Sequence, residues 1–330
     1  MIRKTIREIW PYVALAILVG VFPLVATNHY LQFVGALVGL YSIIALGLCL
    51  LIGYAGQVSL GHAAFYGLGA YTSAILTTRY HVNPWLGIVA GMAITALVAG
   101  LVGRPTLRLH GHYLAMATLG FGIIVQIVFH EGGDLTGGFG GIPAIPRFSI
   151  GSLVFKGDVL NFYLIWCFVL LGVALSSNMV RSRMGRAMRA IHDSEVAAQA
   201  CGIDVAHYKL KVFMLSAVFA SVAGSLYAHY MSYVSPDAFG LAFSVQLLVM
   251  VIVGGSRSVW GALLGAGLMT AMAEQIEKVE AISDLSTVVY GLLLVLFVIF
   301  MPKGLAGIIQ QLTGALLRRR VGEAGARAAS

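Results

Sequence analysis

Charge is scarce in this 330-residue sequence, and that scarcity sets the class of the protein. Only 10% of the residues are Asp, Glu, Lys or Arg, while 59% are hydrophobic, whereas soluble domains carry roughly 25% charged residues. The composition excludes an ordinary soluble domain and predicts an all-α integral membrane protein. We expect residues 1–330 to form a single transmembrane domain.

Ionisable groups are missing where an ion-driven transporter would need them. All 13 Asp and Glu residues lie outside the charge-free stretches or at their edges, so no carboxylate is available at membrane depth to carry a coupling ion. His62 and His229 are the exceptions, but a lone histidine near glycines is more often a packed residue than a member of a proton relay.

Catalytic and nucleotide-binding motifs are absent as well. The sequence has no H-E-x-x-H, G-x-S-x-G or paired-cysteine motif, and without a Gly-Lys dipeptide it has no G-x-x-x-x-G-K-[ST] phosphate-binding loop. With Cys49 and Cys167 in spans and Cys201 outside them, no disulfide framework is expected. The sequence predicts a chain that is not an enzyme and binds no metal or cofactor. If ATP drives this protein, another chain must bind it.

Charge-free stretches predict about ten membrane crossings, because a helix needs about 20 apolar residues to span a bilayer. Residues 9–78 are enough for three passes, with breaks near 28–29 and 53–57. Seven further stretches follow at 80–103, 109–130, 159–180, 212–236, 238–256, 258–273 and 285–302. The shortest of them predict helices that are short, broken or re-entrant.

Basic residues indicate the orientation, because cytoplasmic loops of membrane proteins carry an excess of Lys and Arg. With the N-terminus inside, 17 of the 21 basic residues fall in cytoplasmic segments, and 8 of the 13 acidic residues fall outside the cell. Both termini are therefore expected in the cytoplasm, with residues 303–330 as a basic tail. The net charge of +8 follows from this topology and does not indicate nucleic-acid binding.

Two hydrophilic segments separate the predicted spans. Residues 131–158 form an external loop, in which Gly and Pro exclude a long regular helix. Residues 181–211 form a cytoplasmic segment that contains the start and stop signals of a short helix of about two turns. These signals are Asp193 and Ser194 as N-cap residues, Glu195 in the first turn, Ala197 and Ala198 as a small-residue surface, and Gly202 as the C-terminal stop.

The stretch GYAGQVSLGHAAFYGLGAY, residues 53–71, places glycines around uncharged polar side chains. Glycines let helices approach closely, and they also permit a helix break whose free N–H and C=O groups line a polar path. Such a path suits a small neutral or zwitterionic solute, while tight packing explains the glycines equally well. The residues that we assign to a solute path are Gly53, Gly56, Gln57, Ser59 and Gly61.

Five segments together resemble the permease subunits of ABC importers for branched-chain amino acids. They are the stretch at 53–71, RLHGHYLAMATLGFG at 108–122, LTGGFGGIPAIP at 135–146, EVAAQACGID at 195–204 and GGSRSVWGALLGA at 254–266. The segment at 135–146 is similar to the external loop of the longer, M-type member of the permease pair. Two segments depart from the pattern: Val196 stands where importers usually have Glu, with Glu195 one place earlier, and Arg257 and Ala262 stand where Gly and Pro are expected.

The resemblance implies a pore shared with a second, related permease subunit in a bacterial or archaeal plasma membrane, the inner membrane in a Gram-negative cell. It also implies two cytoplasmic ATPase subunits that bind ATP and Mg²⁺, and a periplasmic substrate-binding protein. ATP binding would move the docking helices and turn the pore outward. The coupling residues implied are Glu195, Ala197, Ala198 and Gly202.

Leucine, isoleucine and valine are the expected solutes. Half-helix ends can supply partial charges for the ammonium and carboxylate groups, and apolar neighbours such as Leu60 and Phe65 can accept an aliphatic side chain. Urea or a short amide, which related permeases carry, is the alternative. A stand-alone secondary transporter is a further alternative, which the docking-like helix and the absence of acids from the spans disfavour.

Overall fold

The computed structural model describes residues 2–26, 28–109, 111–150, 153–155 and 157–278, with short pieces at 291–292, 295–297, 299 and 304–307. Residues 2–278 contain the helices α1 (Ile2–Val25), α2 (His29–Leu48), α3 (His62–Arg79), α4 (Pro84–Thr106), α5 (His112–Glu131), α6 (Asp158–Arg181), α7 (Arg183–Asp193), α8 (Glu195–Ala200), α9 (Val205–Met231), α10 (Leu241–Gly254) and α11 (Val259–Lys278). Apart from short strands and turns, the described chain is helical.

Each crossing predicted before residue 278 corresponds to one helix of this set. The stretch at 9–78 contains most of α1, all of α2 and nearly all of α3, and α4, α5, α6, α9, α10 and α11 follow in order. Helix α9 begins at Val205, seven residues before the predicted span at 212–236. The structure describes only residues 291–292, 295–297 and 299 of the predicted crossing at 285–302, and only 304–307 of the basic tail at 303–330.

Five of the described helices are long and apolar enough to cross a membrane. They are α2 with the helical turn that follows it (His29–Tyr54), α4, α5, α6 and α9. Helix α10 and the Trp10–Val25 part of α1 are shorter apolar helices. The predicted all-α membrane fold is therefore confirmed.

Asparagine side chains begin two of these long helices. The Asn28 side chain accepts a hydrogen bond from the backbone N–H of Tyr30 at the start of α2. Asn83 accepts one from Trp85 at the start of α4, where Pro84 occupies the first turn and needs no hydrogen-bond acceptor. Local capping thus sets helix boundaries that hydrophobicity alone leaves undefined.

Helices α3 and α9 cross at the centre of the bundle, where glycines bring the two backbones together. A Cβ atom at Gly224 of α9 would overlap the carbonyl oxygen of Tyr66 in α3, and one at Gly69 of α3 would overlap that of Ser221 in α9. The hydroxyl of Ser225 donates a hydrogen bond of 3.0 Å to the carbonyl of Gly69. Small residues at a helix crossing allow this approach, as in other membrane bundles.

One end of the bundle, which we call the Gly-rich end, is formed by residues 131–158 and 232–240. Strand β1 (Ile142–Pro143) pairs antiparallel with β4 (Tyr233–Val234), and β2 (Ser149–Ile150) pairs with β3 (Leu153–Val154). The ring Nδ1 of His229 donates to the carbonyl of Pro146 at 2.6 Å. Where the structure describes it, the predicted Gly-rich loop is thus built from short turns and strands, with no long helix.

The opposite end, which we call the α8 end, holds residues 49–61, 181–204 and 255–258. Helix α6 separates the two ends, and its 24 residues give a length of about 36 Å at 1.5 Å per residue. Residues of the three segments touch one another, as at Gly53 and Ser256 and at Gly56 and His192. The predicted solute-path stretch at 53–61 and the predicted coupling stretch at 195–202 therefore lie at the same end of the molecule.

Candidate functional site

A helix break between α2 and α3 lies at the α8 end. Residues Cys49–Tyr54 form a π-helical turn, and α3 begins only at His62. Between them Gly56 has a φ of +70°, a left-handed conformation that strains any residue with a Cβ. Residues 56–61 are not helical. The break predicted near 53–57 is thus present, and π-helical turns of this kind are frequent at functional sites.

Gln57 is the least satisfied side chain of this break. It is 3% exposed, yet neither its amide nitrogen nor its amide oxygen has a hydrogen-bond partner among the described residues. An orphaned buried polar group costs about 1–3 kcal/mol. An amide held this way is able to bind a polar group that enters the break.

Ser59 belongs to a buried hydrogen-bonded chain that joins the break to α9. Its hydroxyl lies 3.1 Å from Nδ1 of His62, and Nε2 of the same ring lies 2.6 Å from the hydroxyl of Ser216. His62 is 1% exposed. Both ring nitrogens have partners, as a packed, hydrogen-bonded histidine requires.

The glycines of the break make close backbone contacts. A Cβ at Gly61 would lie 2.7 Å from the carbonyl oxygen of Thr118 in α5, and the hydroxyl of Thr118 accepts a hydrogen bond from the Leu60 N–H at 3.0 Å. A Cβ at Gly53 would overlap the carbonyl oxygen of Ser256. The five predicted path residues are therefore together in one segment, with glycines at its contacts and the side chains of Gln57 and Ser59 buried between them.

Helix α8, Glu195–Ala200, is the predicted short helix, and its ends follow the predicted signals. The Ser194 hydroxyl accepts a hydrogen bond from the Ala197 N–H. Gly202 has a φ of +78°. Its N–H donates to Gln199 at 2.9 Å, and the Ile203 N–H donates to Ala198 at 3.0 Å. This pair of bonds is the Schellman motif, which a glycine in left-handed conformation closes.

The two alanines of α8 face different surroundings. Ala198 is 3% exposed and packs in a small cluster with Ile191 and Val205. Ala197 is exposed, and beside it Val196 is 78% exposed. The small-residue surface predicted for Ala197 and Ala198 is thus divided: Ala198 anchors α8 to its own chain, while Val196 and Ala197 face outward.

Glu195 forms an ion pair within the chain. Its carboxylate accepts a hydrogen bond of 2.5 Å from the ammonium group of Lys209 in α9, and Lys209 is 5% exposed. A buried ammonium needs a partner, since leaving it unpaired is strongly unfavourable. Glu195 therefore also fixes α8 against α9.

Sequence reasoning did not assign a role to His192 or Arg257. Nδ1 of His192 faces Gly56, where a Cβ would lie 2.8 Å away. Partial burial, aided by the positive charge of Arg257, lowers the pKa of His192, so its ring is neutral at neutral pH. The Arg257 guanidinium lies 4.0 Å from the Asp193 carboxylate. In the sequence, only the departure of Arg257 from the family pattern indicated that this residue has a role.

The class of this protein is the transmembrane subunit of a transporter. Three features define it: a bundle of apolar spanning helices, a buried polar break in the helical chain and a short capped helix outside the bundle. The chain belongs to the family described as the permease component of the branched-chain amino acid transport system, whose model matches residues 30–298.

Relatives with this description align along most of the chain. The LivM permease of the high-affinity branched-chain amino acid transport system of Escherichia coli K12 is 32% identical in an alignment of 325 positions that covers 92% of this chain and 76% of that protein. The LivH permease of Salmonella typhimurium is 26% identical, over 81% of this chain and 91% of its own. A probable LivM of Methanocaldococcus jannaschii is 22% identical, over 81% and 90%. No solved structure was found to match.

Proposed function

We propose that this chain is the M-type permease subunit of an ABC importer and that it moves leucine, isoleucine and valine into the cell. The observation that carries the proposal is the 32% identity, over 92% of the chain, to a permease of a high-affinity branched-chain amino acid system. The match extends through both the break at 53–61 and α8. The protein is a transport subunit of the plasma membrane and not an enzyme.

The chain would work as one of a pair of permeases. Its relatives include both LivM and LivH proteins, and a heterodimer of two such chains would enclose the pore. Two ATPase subunits would bind ATP and Mg²⁺ and hydrolyse the ATP. A substrate-binding protein outside the membrane would deliver the solute.

Helix α8 would be the docking point for an ATPase. Its exposed face carries Val196 and Ala197, while its other face is fixed by Ala198 and by the Glu195–Lys209 ion pair. Gly202 ends the helix in a fixed geometry. A short helix held this firmly at both ends moves as a unit when a partner pushes it, which is what coupling to ATP hydrolysis needs.

The break at 53–61 would lie on the solute path. The unpaired amide of Gln57 and the helix ends that flank the break can bind the ends of a zwitterion without a buried charge. Leu60, which is half-buried, would accept an aliphatic side chain at about 0.8 kcal/mol per buried CH₂, whereas Phe65, also expected from the sequence to do so, is fully buried and not available to it. Urea has no such side chain and would gain nothing from that surface.

The ATPase is expected to come with the permease. When this chain is affinity-purified in mild detergent from cells that express the whole transport system, an ATP-hydrolysing subunit should be retained. A matched preparation in which α8 is replaced by a Gly-Ser linker of the same length should lose the ATPase and keep the second permease. Purification of the intact chain as a stable transporter without any ATPase would favour the secondary-transporter alternative.

Both termini and α8 are expected in the cytoplasm, in line with the distribution of basic residues. Cys201 is exposed at the end of α8. In a Cys167→Ser background, a membrane-impermeant maleimide should label Cys201 in inside-out vesicles and leave it unlabelled in spheroplasts. The reverse pattern would overturn the orientation.

A further inference from the structure

The end of α2 is held by the loop between α10 and α11. The Cys49 thiol donates a hydrogen bond of 3.0 Å to the carbonyl of Ser256, and the Tyr54 hydroxyl donates one of 2.9 Å to the carbonyl of Arg257. A Cβ at Gly53 would overlap the Ser256 carbonyl. Three successive contacts therefore fix the π-helical turn to this loop.

The same region touches the residues that lead into α8. His192 and Asp193 directly precede Ser194, the N-cap of α8. The His192 ring lies against Gly56, and the Asp193 carboxylate lies 4.0 Å from the Arg257 guanidinium. Three residues before α8 begins, the chain thus contacts the helix break directly through His192. Asp193 contacts it indirectly, through the loop that holds the break.

The contacts among the π-helical turn, the α10–α11 loop and the end of α7 surround a cavity and not a close-packed core. A cavity of about 320 Å³ lies among Tyr54, Arg189, His192 and Arg257. The side chains of Asp193 and Arg257 are 74% and 66% exposed. We call residues 49–61, 192–193 and 255–258 the joint. Because free space lies beside it, the joint can change its geometry without atomic overlap, whereas close-packed interiors resist displacement.

We propose that His192 and Arg257 are positioning residues that transmit movement of α8 to the end of α2, so that residues 49–61 open and close the cytoplasmic mouth of the solute path. The inference rests on the proposed function, because it takes α8 as the helix that an ATPase moves. It assigns Gly53 and Gly56 to the moving joint and leaves Gln57 and Ser59 to face the solute.

The two positioning residues would act by contact and not by catalysis. His192 is neutral, and its ring lies beside Gly56, where a Cβ would be only 2.8 Å from Nδ1. Arg257 connects the loop to α7 through its side chain and to Tyr54 through its carbonyl. Arg257→Ala therefore removes the link to α7 and keeps the link to α2.

Cys49 provides a reporter, because its thiol is buried in the joint and bonded to Ser256. In the assembled complex with Cys167→Ser and Cys201→Ser, Cys49 is the single thiol of this chain. Its rate of labelling by 2-aminoethyl methanethiosulfonate would be compared without nucleotide and with Mg-ATP plus vanadate. ATP hydrolysis by the same complex would be measured in parallel, as would uptake of labelled leucine.

We expect nucleotide to change the rate of Cys49 labelling in the parent. In His192→Ala and in Arg257→Ala this change should be smaller by about fivefold or more, because coupling between linked sites is typically of that size. ATP hydrolysis should persist in both. His207→Ala and Arg183→Ala, which remove an exposed histidine and an exposed arginine nearby, should respond as the parent does.

Two results would overturn the inference: labelling of Cys49 in the parent that nucleotide does not change, or variants at 192 and 257 that respond as the parent does. A complex that shows the Cys49 response but takes up no leucine would contradict the proposed solute and leave the joint standing. A chain that binds no ATPase would contradict both.

Discussion

Replacing Gly224 by Val is expected to remove most of the folded protein from the membrane. At this position a Cβ would overlap the Tyr66 carbonyl and lie 3.0 Å from the Ala70 nitrogen, so α9 and α3 would have to separate. Overpacking of a core costs about 1–3 kcal/mol and occasionally more. Here the overlapping atom is a backbone carbonyl oxygen, which cannot rotate away as a side chain can. The free-energy cost should therefore lie at the upper end of that range or above it.

The measurement is the amount of monodisperse chain after extraction in mild detergent, together with its melting temperature. Gly20→Val in α1 is the matched control, because no atom of the described part of the chain lies within 4 Å of a Cβ at Gly20. The control should resemble the parent in both quantities. If Gly224→Val gave parental yield and melting temperature, the close crossing of α3 and α9 would be wrong.

Replacing Gly202 by Val is expected to abolish most coupled transport while the chain still folds. Gly202 is exposed, and among the described residues no atom lies within 4 Å of a Cβ placed there, so their packing is unaffected. The φ of +78° is the obstacle, since a left-handed conformation costs an ordinary residue roughly 1–2 kcal/mol and a β-branched residue more. The C-terminal end of α8 should unwind, and the exposed face with Val196 and Ala197 should lose its shape.

Graded variants separate this effect from a general loss of stability. Asn tolerates the left-handed conformation, so Gly202→Asn should keep uptake close to that of the parent, Gly202→Ala should be intermediate, and Gly202→Val should be lowest. Uptake and substrate-stimulated ATP hydrolysis in proteoliposomes should fall together, with the affinity of the binding protein unchanged. Equal transport by all three variants would remove α8 from the coupling path.

The spans and α8 could be predicted because their signals are local. A charge-free stretch of the right length predicts a spanning helix wherever it packs, and Ser194 and Gly202 define the ends of α8 through hydrogen bonds within six residues. Helix α7, Arg183–Asp193, was not separated from the segment around it. Its apolar face is short, and the four arginines between residues 181 and 189 give the segment a composition that is equally typical of a basic loop.

The contacts of the break could not be predicted, because they join residues far apart in the sequence. Gly53 meets Ser256, and Gly56 meets His192. A glycine required by a distant backbone looks the same in sequence as a glycine that lines a path. The burial of Ala198 likewise depends on Ile191 and Val205, which α7 and α9 bring together only in the folded chain.

The solute can be tested most directly by uptake of labelled leucine into cells that carry the full transport system, with unlabelled valine and urea as competitors. We expect leucine to accumulate in the presence of this chain and not in its absence. Unlabelled valine in excess should suppress that uptake, and urea at the same concentration should leave it unchanged. Absence of leucine uptake, with labelled urea accumulated instead, would contradict the amino-acid function and leave the permease fold intact.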